Sequence, residues 1–113
     1  MPRRSTVRAV TSIGIDMGKN TLHMVGLDSL GAIILRERIS RGRITSRLAN
    51  LPPCLIGIEA GMATHYVARE LAALGHDVKQ VRGLRVEMRR WRKGLASAFV
   101  IRWPLWLLGP SRE

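Results

Sequence analysis

Three things are scarce in this chain: cysteine, acidic side chains and long apolar runs. Cys54 is the only cysteine, which excludes an intrachain disulfide and a thiolate metal cluster and leaves a reducing cytosol as the default compartment. Only 8 acidic residues face 19 Lys and Arg, for a net charge of +11. That excess attracts polyanions at a distance and makes nucleic acid the first partner to expect. The most apolar run, residues 96–108, falls short of the roughly 20 residues a membrane helix needs and is broken by Arg102 and Pro104. The basic start Pro2-Arg3-Arg4 leads into no sustained apolar core of a secretory signal. A cytoplasmic protein with no stable membrane insertion is the expectation. Trp91, Trp103 and Trp106 remain open between an exposed patch and a surface-seeking amphipathic tail.

What is present divides unevenly. Residues 1–78 hold 10 basic and 6 acidic side chains, whereas residues 79–113 hold 9 and 2, so most of the excess charge sits at the end. Residues 7–16 mix Val, Ile, Thr and Ser with no charge between Arg8 and Asp16, which suits a strand covered on both faces. Residues 21–28 and 32–39 read as two further strands joined by a hairpin-sized loop. In residues 43–51 the apolar Ile44, Leu48 and Leu51 recur at helical spacing before Pro52-Pro53 stops the run. Residues 54–59 form a short apolar strand. Residues 62–74 form a helix with Val67, Leu71 and Leu74 on one stripe and Gly75 as its cap. Residues 76–81 supply a last strand. A three-strand meander followed by alternating helices and parallel strands is the layout of an α/β, ribonuclease H-like fold.

In that layout the first and fourth strands are neighbours, separated by about 4.8 Å. Each ends in an acid before a glycine turn: Ile15-Asp16-Met17-Gly18 and Ile58-Glu59-Ala60-Gly61. Carboxylates so placed suit magnesium-assisted phosphoryl transfer, because hard cations take oxygen ligands and a metal pair stabilises both oxygens of an in-line displacement. The same acids also suit local roles, Asp16 bonding within its turn and Glu59 facing the positive end of the helix that follows.

Three segments carry a resemblance. The run from Ile13 to His23 (Ile-Gly-Ile-Asp-Met-Gly-Lys-Asn-Thr-Leu-His), the run from Leu48 to Ala60, and Ala72-Ala73-Leu74-Gly75-His76-Asp77-Val78 resemble the N-terminal region of the DEDD transposases of bacterial insertion sequences, in particular the eleven-eleven branch of family one hundred and ten. The resemblance spans residues 8–79. It implies a domain similar to the resolvase RuvC, with acids in the order Asp, Glu, Asp, Asp holding Mg2+. It further implies recombination of DNA with an element-encoded guide RNA, a nucleophilic serine in a separate C-terminal domain, and oligomers of the complete protein. Asp16 matches the first acid and Glu59 the second.

The resemblance implies the third and fourth acids in a segment like Lys-Asn-Asp-Phe-Arg-Asp-Ala-Glu-Ala, and none follows here. After Lys79 the acids are Glu87 and Glu113, among Arg82, Arg85, Arg89, Arg90 and Arg92 and with helical periodicity lost. Back-translation of Phe99-Val100-Ile101-Arg102-Trp103-Pro104 in another frame can encode Arg-Asp, one of three small residues, Val and Ala, close to the missing motif. The expectation is a truncated RuvC-like domain over residues 1–81 and a basic, poorly ordered, frameshifted tail over residues 82–113. The expected product is a transposase lacking half its metal ligands and therefore inactive. The alternatives are a non-catalytic nucleic-acid-binding remnant and an unstable pseudogene product.

Weaker signals complete the inventory. Lys19, Arg36, Arg38, Arg41 and Arg43 are candidates for contacts to nucleic-acid phosphates, against the reading of a solvated basic surface. Lys19-Asn20-Thr21 after Asp16 also resembles the first phosphate loop of actin-like ATPases, although no second phosphate loop fits in so short a chain. His23, His65 and His76 show no metal-ligand spacing with one another or with Cys54.

Overall fold

A computed structural model describes residues 9–92 of the 113. Five strands form one sheet: β1 (Ser12–Met17), β2 (Thr21–Leu27), β3 (Ile33–Ser40), β4 (Leu55–Glu59) and β5 (Asp77–Val81), in spatial order β3-β2-β1-β4-β5. The pairs β1–β2 and β2–β3 are antiparallel, whereas β1–β4 and β4–β5 are parallel. Helices α1 (Ile44–Ala49), α2 (His65–Ala73) and α3 (Leu84–Arg92) complete the fold, with one-turn 3-10 helices at Arg41–Arg43 and Met62–Thr64 leading into α1 and α2. Among the described residues no helix is long and apolar enough to cross a membrane.

The alternation of side chains along each strand sorts the sheet into two faces. On one face Ile13 and Ile15 of β1, Leu22 and Met24 of β2, and Ile56 and Ile58 of β4 pack against Ile44 and Leu48 of α1 and Val67 and Leu71 of α2. The helical stripes expected from spacing are thus the ones that are buried. On the other face Val25, Leu27 and Val81 pack against Leu84, Met88 and Trp91 of α3. With helices on both sides, every residue of the central strand β1 is buried.

Local chemistry explains the connections. The β2–β3 hairpin closes on Asp28, whose Oδ1 accepts the N–H groups of Leu30 and Ala32 at 2.9 Å each. Pro52-Pro53 separates α1 from β4. Gly75, at φ +103°, ends α2 in a left-handed conformation open to glycine at little cost. At the same end of the sheet the buried His76 accepts the Cys54 N–H at Nδ1 (3.1 Å) and donates from Nε2 to the Leu48 carbonyl (2.9 Å). These partners fix the neutral tautomer with the proton on Nε2. His76 is thereby a tie between α1, β4 and β5.

Two expectations need correction. The first strand starts at Ser12, not at residue 7; Thr11 still donates its N–H to the Leu27 carbonyl (2.8 Å) and accepts the Leu55 N–H (3.1 Å), and residues 1–8 lie outside the described residues. The packed unit also continues past the boundary expected at residue 81. Leu84, Met88 and Trp91 stand at i, i+4 and i+7, so helical periodicity is present where the arginines obscured it. Trp91 is 3% exposed and belongs to the core, not to a surface patch. The expectations on Trp103, Trp106, residues 96–108 and the frame-shifted motif at residues 99–104 fall outside the described residues.

α3 comes this close because the strand beneath it has glycine where Met88 and Trp91 cross it. A Cβ at Gly14 would stand 3.1 Å from Met88 Sδ and 3.1 Å from Trp91 Cζ3. Gly14 pairs with Gly57 across β1 and β4, giving the helix a shallow floor to lie on.

Candidate functional site at the strand ends

The parallel register of β1 and β4 runs from Ser12↔Leu55 to Ile15↔Ile58, so Asp16 and Glu59 come next, side by side at one interstrand step of about 4.8 Å. Both follow the face that α3 covers. Asp16 is buried and Glu59 half-buried.

α3 occupies both carboxylates. Glu59 Oε2 accepts the Gly83 N–H at 3.0 Å and Oε1 accepts the Arg85 N–H at 2.6 Å, so the acid at the end of β4 caps the helix from outside its own sequence. The Arg85 side chain turns to β1, where Nε donates to Asp16 Oδ1 at 3.1 Å. One residue therefore bridges the acid pair, through its main chain to one member and its guanidinium to the other. By sequence Arg85 reads as part of the basic tail. Its spacing from Leu84 and Met88 is the signal that places it at the edge of a buried stripe.

These residues do not fit the magnesium site implied by the resemblance. A divalent cation needs several oxygen ligands free to face it, yet both Glu59 oxygens and one of Asp16 accept N–H donors here. Among the described residues no group of three or more His, Cys, Asp or Glu side chains is arranged to hold a metal.

The remaining candidates separate. Lys19 lies exposed in the β1–β2 turn, and its carbonyl accepts from the Arg41 guanidinium at 3.2 Å, which ties Arg41 to that turn. Arg36 and Arg38 project from β3 on the face of Asp16, because Asp16 pairs with His23 and His23 with Arg38. Arg43 stands with Arg38, Ser40, Arg47 and Asn50 along an open groove of about 540 Å³ at the edge of the sheet. Arg47 makes a two-pronged pair with Glu37 (2.8 and 2.6 Å) on the α1 side. That hydrogen bond holds the Glu37 carboxyl below the usual carboxylate range. The basic segment is thus distributed over two faces and an edge.

Cys54 is buried beside His76, its Sγ 3.7 Å from Nδ1, and burial pushes its thiol up from the ordinary range, so it is held as the unreactive protonated form.

Comparison with known proteins gives this arrangement a context. The chain is 43% identical over 72 residues to the transposase for insertion sequence element IS1328 of Yersinia enterocolitica, a match covering 64% of this chain and 22% of the relative. Its relatives are insertion-sequence transposases. A protein named "Probable family 20 transposase" in Pseudomonas aeruginosa is 35% identical over 72 residues, 64% of this chain and 21% of its own. The transposase for insertion sequence element IS1111A of Coxiella burnetii is 29% identical over 65 residues, 57% of this chain and 18% of its own. The chain spans about a fifth of the length of the transposases it matches. No family model matches it, and no solved structure does.

Proposed function

We propose that this chain is a ribonuclease H-like, RuvC-like portion of an insertion-sequence transposase of the DEDD type that binds DNA without cutting it. The observation that carries the reading is the acid pair: Asp16 and Glu59 stand together at neighbouring strand ends, and both are engaged by α3 through Arg85. The strand order β3-β2-β1-β4-β5, with β2 alone antiparallel to both of its neighbours, supports the fold. The transposase relatives support DNA as partner, and the cytoplasm, where bacterial DNA lies, is the compartment this implies.

Cleavage would require carboxylates available to Mg2+, which supplies Lewis-acid stabilisation of the displaced oxygens when bound. In this chain Arg85 and the α3 N-terminus hold those groups instead, and the segment after residue 81 has no acids in the order that the DEDD pattern requires. The protein is accordingly proposed to be catalytically inactive, a DNA-binding piece whose downstream segment departs from the transposase pattern through a change of reading frame.

Incubation with supercoiled plasmid and Mg2+ tests the first point. No nicking above that of Asp16→Ala is expected. Magnesium-dependent nicking by the natural chain that vanishes in Asp16→Ala and Glu59→Ala would overturn inactivity. The encoding DNA tests the second: another frame across codons 80–113 should read out the missing acids, and its failure to do so removes the frame-change account.

A further inference from the structure

On the face that α3 covers, the helix lies over β1 and β4 and packs on Val25 and Leu27 of β2, leaving the His23 end of β2 and the Arg36–Arg38 stretch of β3 open beside it. Two depressions there share His23 as a common wall. One, of about 370 Å³, is lined by Asp16, Gly18, Lys19, Thr21, Arg85 and Arg89; the other, of about 290 Å³, is lined by Met24, Val25, Arg36, Glu37 and Arg38. Together they border one trough that the row Asp16–His23–Arg38 crosses, from α3 on one side to β3 on the other. Two interstrand steps make that row about 10 Å long, close to the width of a single nucleic-acid backbone.

The charge of the trough is one-sided. Arg85 and Arg89 are four residues apart and so share a side of α3, a spacing at which like charges disfavour the helix. Arg36 and Arg38 alternate to one face of β3 opposite them. The acids nearby are already engaged: Asp16 by Arg85, and Glu37 by Arg47 on the other face. With Arg85 already paired to Asp16, Arg36, Arg38 and Arg89 are the cations that gain most from an external polyanion.

We propose that this trough binds the phosphodiester backbone of single-stranded DNA and does so without a divalent cation, Arg36, Arg38 and Arg89 supplying the positive charge while Arg85 neutralises Asp16 between them. Arg89 forms one wall of contacts, Arg36 and Arg38 the other, and Lys19 the end of the track. Contacts of this kind fix position and carry no sequence preference. The proposal rests on the reading above only in taking DNA as the polyanion.

The test is fluorescence anisotropy of a labelled oligothymidylate with the full chain in EDTA over a range of salt. Arg89→Gln, Arg36→Gln and Arg38→Gln should each flatten the slope of log K against log salt by about 0.7. Arg69→Gln, an exposed change on α2 across the sheet, should leave it unaltered, and Mg2+ should not be required. Because Arg85→Gln also disturbs Asp16, the β3 variants, which α3 does not support, keep the inference open to refutation. Binding that persists with all groove variants unchanged, or that Arg69→Gln weakens equally, overturns the trough while leaving DNA as partner. No binding by the natural chain overturns both.

Discussion

The two faces of the sheet solve the same packing problem in different ways. The face under α1 and α2 is built from Ile, Leu, Met and Val side chains, with its polar groups tied off at the edge by His76 and by the Glu37–Arg47 pair. The face under α3 has Gly14 and Gly57 in the middle, Asp16 and Glu59 at one end, and arginines around the rim. One face can tolerate only apolar volume, so it specifies the fold. The other buries a smaller apolar cluster under α3 and leaves main chain and charge at its rim. An acid pair at strand ends is also not a metal site by position alone: here a helix arriving from beyond β5 takes the places that ligands to a cation would need.

This contrast is open to direct attack. The largest effect is expected in the first core, where Leu71→Ala should cost about 3 kcal/mol by urea denaturation, since Leu71 is 0% exposed and its removal leaves a cavity. A cost under about 1 kcal/mol would mean that this face is not the packed one. His76→Ala should follow at about 2 kcal/mol, because the Cys54 N–H and the Leu48 carbonyl both lose their buried partner. His76→Gln should recover part of that loss if hydrogen bonding, and not ring volume, is what matters.

On the second face Gly14→Val should cost about 1–3 kcal/mol by forcing Met88 and Trp91 outward. Limited proteolysis should then cut first within α3 while the α1–α2 side stays protected; uniform cleavage would show that the faces are not independent. The smallest effect concerns Glu37. Its carboxyl is lowered from 4.5 by the Arg47 hydrogen bond, so the stabilisation is present above that value and is lost as pH falls through the lower folded one. For a half-exposed pair this amounts to less than about 1 kcal/mol. Glu37→Gln should remove this part of the acid sensitivity, visible as convergence of the two urea midpoints below pH 4.5.

Much of the fold was legible because its signals are local. The spacing of Ile44 and Leu48, the Val67–Leu71 stripe, Gly75 at the helix end and the run before Asp16 each report on the backbone that carries them. α3 was harder to read because arginine occupies every position between its buried residues that does not face the sheet, except Val86 and Glu87. Charge density there resembled loss of pattern, although Leu84, Met88 and Trp91 keep it. The candidate site was half legible. Asp16 and Glu59 announce themselves by their glycine turns, whereas His23, Arg85 and Arg89 have no local mark of function.

By itself, the sequence determined the five strands and the first two helices, their order and the placing of two acids at strand ends, since hydrophobic period and turn chemistry act between residues close along the chain. Only the tertiary structure decided what those acids face. The bond from Arg85 to Asp16 spans 69 positions, and whether a carboxylate meets a cation, a guanidinium or a helix N-terminus depends on which distant segment the glycine floor of β1 and β4 lets approach.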